Sequence, residues 1–429
     1  MIGAVFAGML VLLVLAVPIC VVIAMISLIP YGLDATFAAS PMFILRNMVS
    51  GLDSITLIAI PMFVLSGIIM ARGGISKKLF NVFSYFIGDK TGGLPCAVVI
   101  TCLFYGAISG SAPATTAAVG AMTIPILVGL GYDLTFCAAL VAISGGLGVI
   151  IPPSIPFILY SMNSGASVGE LFIAGILPGI LIGVCLMLYS IYYCKKHGED
   201  KGKLRENIKD LREQGFLKVF MDSFWALLSP VIILGSIYGG ICTPTEAAVI
   251  SVIYALVICL FVYKTLAWNE IYAVLREGVE TYAPILFILG AAQAFSRVLT
   301  LTQAPQMLAE TMGSAFSSKV ALILIINVFL LFVGMVMDTG PAILILTPIL
   351  VPIVKAAGID PVHFGVIMIV NLAIGFVTPP IGNNLYVAST LTKLPVTSIA
   401  KKAMPFMAAF FIALMIITFV PQVSLLLVR

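Results

Sequence analysis

The chain has 429 residues, 61% of them hydrophobic and only 9% charged, with a formal net charge of +4. A soluble domain carries about 25% charged residues, and apolar runs of about 18 or more, long enough to cross a bilayer, recur along this chain. These numbers exclude a soluble globular enzyme, and a charge of +4 is the excess that loops on the inner side of a membrane carry rather than a nucleic-acid surface. The eight cysteines lie in or beside apolar runs without a CxxC pair, and His197 and His363 stand alone. No metal cluster or disulfide framework is therefore expected. The chain has no GxxxxGK(S/T), so it holds no P-loop for ATP.

In chain order, the hydropathy predicts spans at 4–28, 53–71, 133–163, 171–194, 220–239, 244–263, 281–299, 361–392 and 403–428. The first has no basic leader and runs on past the short apolar region of a signal peptide, so it is expected to be a retained span. Two further stretches, 92–128 and 319–356, are apolar but interrupted. The first contains Gly106–Pro125, rich in Gly, Ser, Thr and Pro, and the second contains Met337–Pro341. In Ile75–Asp89, the residues Ile75, Leu79, Phe83 and Phe86 share a helical face, which predicts an amphipathic helix in the membrane interface. Pro305–Phe316 is a weaker counterpart. Lys195–Lys218, with eight Lys or Arg and five Asp or Glu, is the one long polar stretch and reads as a connector on the inner side. Trp225 and Trp268, at span ends, fit interfacial anchors.

The two halves match at a constant offset of 227 residues. Gly51 pairs with Gly278, Pro125 with Pro352, Gly131 and Asp133 with Gly358 and Asp360, Pro152-Pro153 with Pro379-Pro380, and Pro178 with Pro405. This predicts an internal duplication. If 92–128 and 319–356 are re-entrant helical hairpins, five spans separate them. The hairpins then open to opposite sides and the repeats are inverted. With Lys195–Lys218 inside, 17 of the 22 Lys and Arg fall inside and 5 outside, as the positive-inside rule asks. The fold class expected is an all-α polytopic membrane protein of inverted repeats, with two re-entrant helical hairpins and broken helices.

Each half has two breaks in lipid-spanning sequence. One is a hairpin tip, Ser109-Gly110-Ser111-Ala112-Pro113 or Asp338-Thr339-Gly340-Pro341; the other is a double proline inside a long span, at Pro152-Pro153 or Pro379-Pro380. Non-helical backbone is tolerated at membrane depth only where protein or a cavity surrounds it, and paired breaks in two repeats point to a transporter's central site. Helix C-termini offer carbonyls to a cation, and N-termini offer N–H groups to an anion. Asp133 and Asp360 read as helix N-caps, the second followed by Pro361, and Thr243-Pro244-Thr245-Glu246 has the spacing of a capping box. Asp338 is expected to take part in cation binding, because ionisable groups at membrane depth are expensive. Arg46 and Arg297 read as interface anchors at the outer face.

GAISGSAPATTAAVG, VIIPPSIPFILY, SVGELFIAGILPGI, FWALLSPVIILGSIYGGICTPTEAA and GFVTPPIGNNLYVAS together resemble the large membrane subunit of tripartite ATP-independent periplasmic (TRAP) transporters, over nearly the whole chain. The resemblance implies an elevator-type secondary transporter, not an enzyme, that takes up a carboxylate of the sialic acid or C4-dicarboxylate type. It implies no cofactor and Na⁺ as coupling ion, in a bacterial inner membrane, with the N-terminus cytoplasmic and the C-terminus periplasmic. The implied partners are a small four-helix membrane subunit, a periplasmic substrate-binding protein and membrane lipid, with no nucleic acid. The cation sites it implies are Ser109, Gly110, Ser111, Pro152 and Pro153 on one side and Asp338, Thr339, Thr378, Pro379 and Pro380 on the other. Substrate contacts would involve Ser111, Thr115, Ser154 and Asn383. The division expected is a scaffold of 1–75, 171–300 (with the connector 195–218) and 401–429, interfacial arms at 76–91 and 301–318, and a transport domain of 92–170 and 319–400. The competing expectation is a stand-alone ion-coupled organic-anion carrier or exporter that works without a binding protein.

Overall fold

The computed structural model describes residues 2–15, 17–304, 307 and 318–429, and among these every regular element is helical. Nine of the described helices are long and apolar enough to cross a membrane. The predicted arm Pro305–Phe316 lies almost wholly outside the described residues.

The predicted first span, 4–28, is two helices, α1 (Ile2–Val14) and α2 (Ile19–Leu33), which pack on each other. Pro18 explains the difference: the residue before a proline is pushed away from helical backbone, and Pro18 itself sits as N-cap of α2 with non-helical backbone. A short helix α3 (Pro41–Ser50) follows, started by the Ser40 hydroxyl accepting from Phe43 N–H at 3.3 Å with Pro41 in the first turn. Next come α4 (Ala59–Arg72) and the amphipathic α5 (Ile75–Ile87). The buried face of α5 differs from the one predicted. Ile75 and Leu79 are buried together with Phe80 and Val82, while Phe86 points outward, because α5 is wedged among several neighbouring helices rather than lying on one surface.

Helices α6 (Gly93–Ser109) and α7 (Ala112–Gly129) form the first hairpin; α8 (Leu134–Gly145), extended by a turn of 3₁₀ helix Gly146–Val149, and α9 (Ile155–Ser164) form the first broken helix. Helix α10 (Val168–His197) leads to the connector, which is itself a helix, α11 (Lys201–Glu213). Asp200 caps α11, and its Leu204 and Ile208 are buried as α11 packs on α5. Helices α12 (Phe216–Tyr238), α13 (Pro244–Val257) and the long α14 (Ile271–Leu301) follow. The second hairpin is α15 (Lys319–Val336) and α16 (Thr339–Ala356), and the second broken helix is α17 (Pro361–Gly375) and α18 (Asn383–Thr392). Helix α19 (Val396–Phe419) and the single turn α20 (Gln422–Leu425) complete the described chain.

The duplication is visible in packing. Helix α7 packs on α8 and α18, and its repeat mate α16 packs on α17 and α9, so the second half of each broken helix lies against the other repeat's hairpin. Helix α2 packs on α14 as α13 packs on α4. Asp133 caps α8 by accepting from the Phe136 N–H at 3.1 Å, and Asp360 caps α17 by accepting from the Val362 N–H at 2.8 Å. Thr243 and Glu246 close the predicted capping box on α13. Helices α10 and α19, grouped by sequence with the framework, pack chiefly on the hairpins and broken helices: α10 on α6 and α17, α19 on α8, and each on the other.

Candidate functional site

The tip of the first hairpin turns at Gly110, with φ +60°, backbone that glycine adopts without a steric penalty. A Cβ there would also stand 2.9 Å from the Pro153 carbonyl oxygen, so the tip lies directly on the double-proline loop. The Ser109 and Thr115 hydroxyls are 2.8 Å apart, and Thr115 donates to the Ser111 carbonyl at 2.8 Å. Beneath the tip, α6 crosses the end of α8 with almost nothing between the backbones: a Cβ on Gly106 would come within 2.8 Å of the Gly148 Cα. The second repeat has the same crossing, where a Cβ on Gly375, the mate of Gly148, would overlap the backbone of Gly334.

The second tip starts α16. Asp338 is its N-cap, accepting from the Thr339 N–H at 2.7 Å. Its carboxylate is otherwise open to the cavity described next. The loop after α17 is held to this hairpin by the Ile381 N–H donating to the Met335 carbonyl at 3.2 Å. Both Pro152-Pro153 and Pro379-Pro380 are cis. The first pair is buried under its hairpin and the second is exposed.

Both tips face one cavity of about 390 Å³. The first repeat contributes Gly110, Ser111 and Pro113 from its tip and Ile155, Pro156 and Leu159 from α9. The second contributes Asp338, Thr339, Gly340 and Pro341, with Leu344 and Phe376 behind them. Three helices, α7, α9 and α16, therefore begin at its wall, each with first-turn N–H groups that have no partner within the helix. The end of the 3₁₀ turn at Val149 also borders it. The far wall is α14, through Thr281, Pro284, Ile285 and Ile288.

Of the residues singled out from sequence, Gly110, Ser111, Asp338 and Thr339 line this cavity, and Ser109, Thr115, Pro152, Pro153, Ser154, Thr378, Pro379, Pro380 and Asn383 do not. Ser109 and Thr115 are buried and bonded to each other at the tip. The buried Ser154 hydroxyl donates to the Val149 carbonyl at 2.5 Å, which spends it on the loop. Thr378, in the loop just after α17, donates to the Ile374 carbonyl at 2.9 Å. Asn383 is half-buried at the start of α18; its neighbour Asn384 is fully buried and donates to the Ala142 carbonyl at 2.9 Å, tying the two repeats together. Arg46 and Arg297 are exposed and away from the cavity. The wall on α14 was missed from sequence. Its signal was Pro284, a proline inside the predicted span 281–299.

Comparison with known proteins gives this geometry a family. Residues 6–423 match the model for the tripartite ATP-independent periplasmic transporter, DctM component. The isethionate TRAP transporter permease protein DctMQ of Oleidesulfovibrio alaskensis is 44% identical over 88% of this chain, which spans 58% of that protein's length. The C4-dicarboxylate TRAP transporter large permease protein DctM of Pseudomonas aeruginosa is 40% identical over 86% of this chain and 85% of its own. The sialic acid TRAP transporter large permease protein SiaM of Vibrio cholerae is 37% identical over 93% of this chain and 94% of its own. Among solved structures, the Neisseria gonorrhoeae MtrF efflux pump aligns with a TM-score of 0.67 at 14% identity, covering 94% of each chain. The Alcanivorax borkumensis YdaH transporter aligns at 0.63 and 14%, covering 94% of this chain and 96% of that one. These two show the fold alone, a helical membrane-transporter fold, whereas the sequence relatives are transporter permease subunits and not enzymes. A multi-pass helical membrane protein with paired hairpins and broken helices, matched to one family model over nearly its whole length, belongs to the TRAP transporters as their large permease subunit.

Proposed function

We propose that this subunit carries a small organic anion into the cell, coupled to Na⁺ and handed over by a periplasmic binding protein. The observation that supports it best is the cavity on which both hairpin tips converge, with Asp338 as its one charged lining residue among those described. A carboxylate, free carbonyls and hydroxyls suit a hard cation, and helix starts suit an anion. The substrates in the relatives' names, isethionate, C4-dicarboxylates and sialic acid, are all organic acids.

The packing supports a two-body elevator. One body is α1–α4 with α12–α14; the other is both hairpins and both broken helices, together with α10 and α19, which pack among them. Helix α5 packs on α6 and α12 and so joins the bodies as an arm. The cavity lies between them, walled by α14 on the static side. A small four-helix membrane subunit and a periplasmic binding protein complete the tripartite system that the family's description names. We place the N-terminus in the cytoplasm and the C-terminus in the periplasm, across the inner membrane.

The test is uptake into proteoliposomes holding both membrane subunits, with the binding protein outside. Uptake should require an inward Na⁺ gradient and the binding protein, and Asp338→Asn should lower its Na⁺ dependence. Equal uptake without Na⁺ would overturn the coupling, and uptake without the binding protein would favour a stand-alone carrier.

A further inference from the structure

We infer that the cavity takes a monoanion, a single oxyanion head on a compact apolar body, with the head set against the starts of α7, α9 and α16 and the Thr339 hydroxyl as its side-chain donor. This rests on the transport reading above and narrows its substrate. Thr339 lines the cavity, is only 3% exposed, and its hydroxyl has no hydrogen-bond partner among the described residues. Buried hydroxyls are rarely left unpaired, and one left so beside a cavity is poised for a ligand. Three helix starts share its wall, and each favours negative charge.

The same wall argues against a second charge. Among the described residues no Lys, Arg or His lines it, and Asp338 is its only charged one. A cation bound at Asp338 offsets that carboxylate and leaves no side-chain counter-charge for a dianion. The remaining surface is mainly apolar: Leu159 from the first repeat, Leu344 and Phe376 from the second, and Ile285 and Ile288 from α14, beside the Ser111 hydroxyl and a Thr281 hydroxyl already donated to the Glu277 carbonyl at 2.7 Å. Such a surface covers a hydrocarbon body well and leaves most hydroxyls of a polyhydroxylated acid unpaired.

The experiment is calorimetric titration of the purified protein in lipid nanodiscs, with NaCl present, using lactate, ethanesulfonate, succinate and gluconate. Lactate or ethanesulfonate should bind at least about tenfold more tightly than succinate or gluconate, a gap of about 1.4 kcal/mol; the two monoanions separate a carboxylate head from a sulfonate one. Thr339→Val should weaken the preferred monoanion about tenfold, with Thr339→Ser restoring it, since a lost partner for a charged group costs about that factor or more. Asp338→Asn should narrow the gap between lactate and succinate. If Thr339→Val fails to fold, Ile288→Asn serves instead and should raise the affinity for gluconate. Tighter binding of succinate or gluconate, or an unaltered titration in the folded variant, overturns the inference. A succinate preference that still needs Na⁺ leaves the transport reading standing, whereas blank titrations together with absent uptake in the complete system overturn both.

Discussion

Gly148 and Gly375 do the same job 227 residues apart: each lets a hairpin helix rest on the backbone at the end of a half-helix. In the second repeat the contact is with Gly334, and a methyl group at Gly375 has no side chain to push aside, only backbone. Gly375→Ala should therefore destabilise the purified protein by about 1–3 kcal/mol, the range for overpacking a filled interior. Thermal unfolding in detergent reads this as a lower Tm. Gly235→Ala is the control, since a Cβ there meets nothing within 4 Å; it should leave Tm unchanged or raise it by helix propensity alone, about 0.8–1 kcal/mol. Residue identity made parts of the site legible in advance. Ser111 and Asp338 announced themselves as polar groups in apolar sequence, and both line the cavity. Thr115 and Ser154 carried the same signal, yet their hydroxyls are turned into the tip and the loop. Sequence gives a hydroxyl's position along the chain but not its direction, and a buried hydroxyl accepts whichever partner is nearest. The glycine crossings were illegible for a related reason: a close approach needs both partners, and Gly334 lies 41 residues from Gly375.

At the scale of elements, the breaks were more legible than the helices between them. A double proline cannot continue a helix, and both such loops interrupt one. The N-caps Asp133 and Asp360 were equally readable, because an acidic residue before the first apolar turn has one obvious local use. Pro18 and Ser40-Pro41 carried the same kind of signal and split or started helices that hydropathy alone merged or passed over. Asp360 has a further partner, Arg429, whose guanidinium lies 2.6 Å from its second oxygen while the first caps α17. The two contributions are separable. Asp360→Ala removes the cap and should cost about 1 kcal/mol, within the usual range for losing an N-cap. Arg429→Ala removes only an ion pair whose cation is largely exposed, and should cost well below about 1 kcal/mol. Unfolding followed by circular dichroism distinguishes them, and equal losses would mean that the carboxylate acts through the arginine rather than through the helix start.

For the whole molecule, the inverted relation expected of the repeats would let one cavity be bounded by two hairpins that enter from opposite sides. The packing exchange, α9 with α16 and α18 with α7, follows naturally from such an inversion. Orientation across the membrane rests on a separate argument, the distribution of basic residues, 17 of 22 of which fall on the side of the connector in the expected topology. It can be tested without substrate. In a cysteine-free background, Glu206→Cys on the exposed face of α11 should react with a membrane-impermeant maleimide only after the inner membrane is opened. Ala356→Cys, exposed at the far end of the second hairpin, should react in intact spheroplasts. Its repeat counterpart Gly129→Cys, at the corresponding end of the first hairpin, should behave like Glu206→Cys because inversion places the two ends in different compartments. Labelling of Ala356→Cys and Gly129→Cys from the same side would contradict inverted repeats outright. Labelling of each from the side opposite to that expected would keep the inversion and reverse only the orientation, so the cavity's two-sided construction and the direction of the charge bias are judged independently.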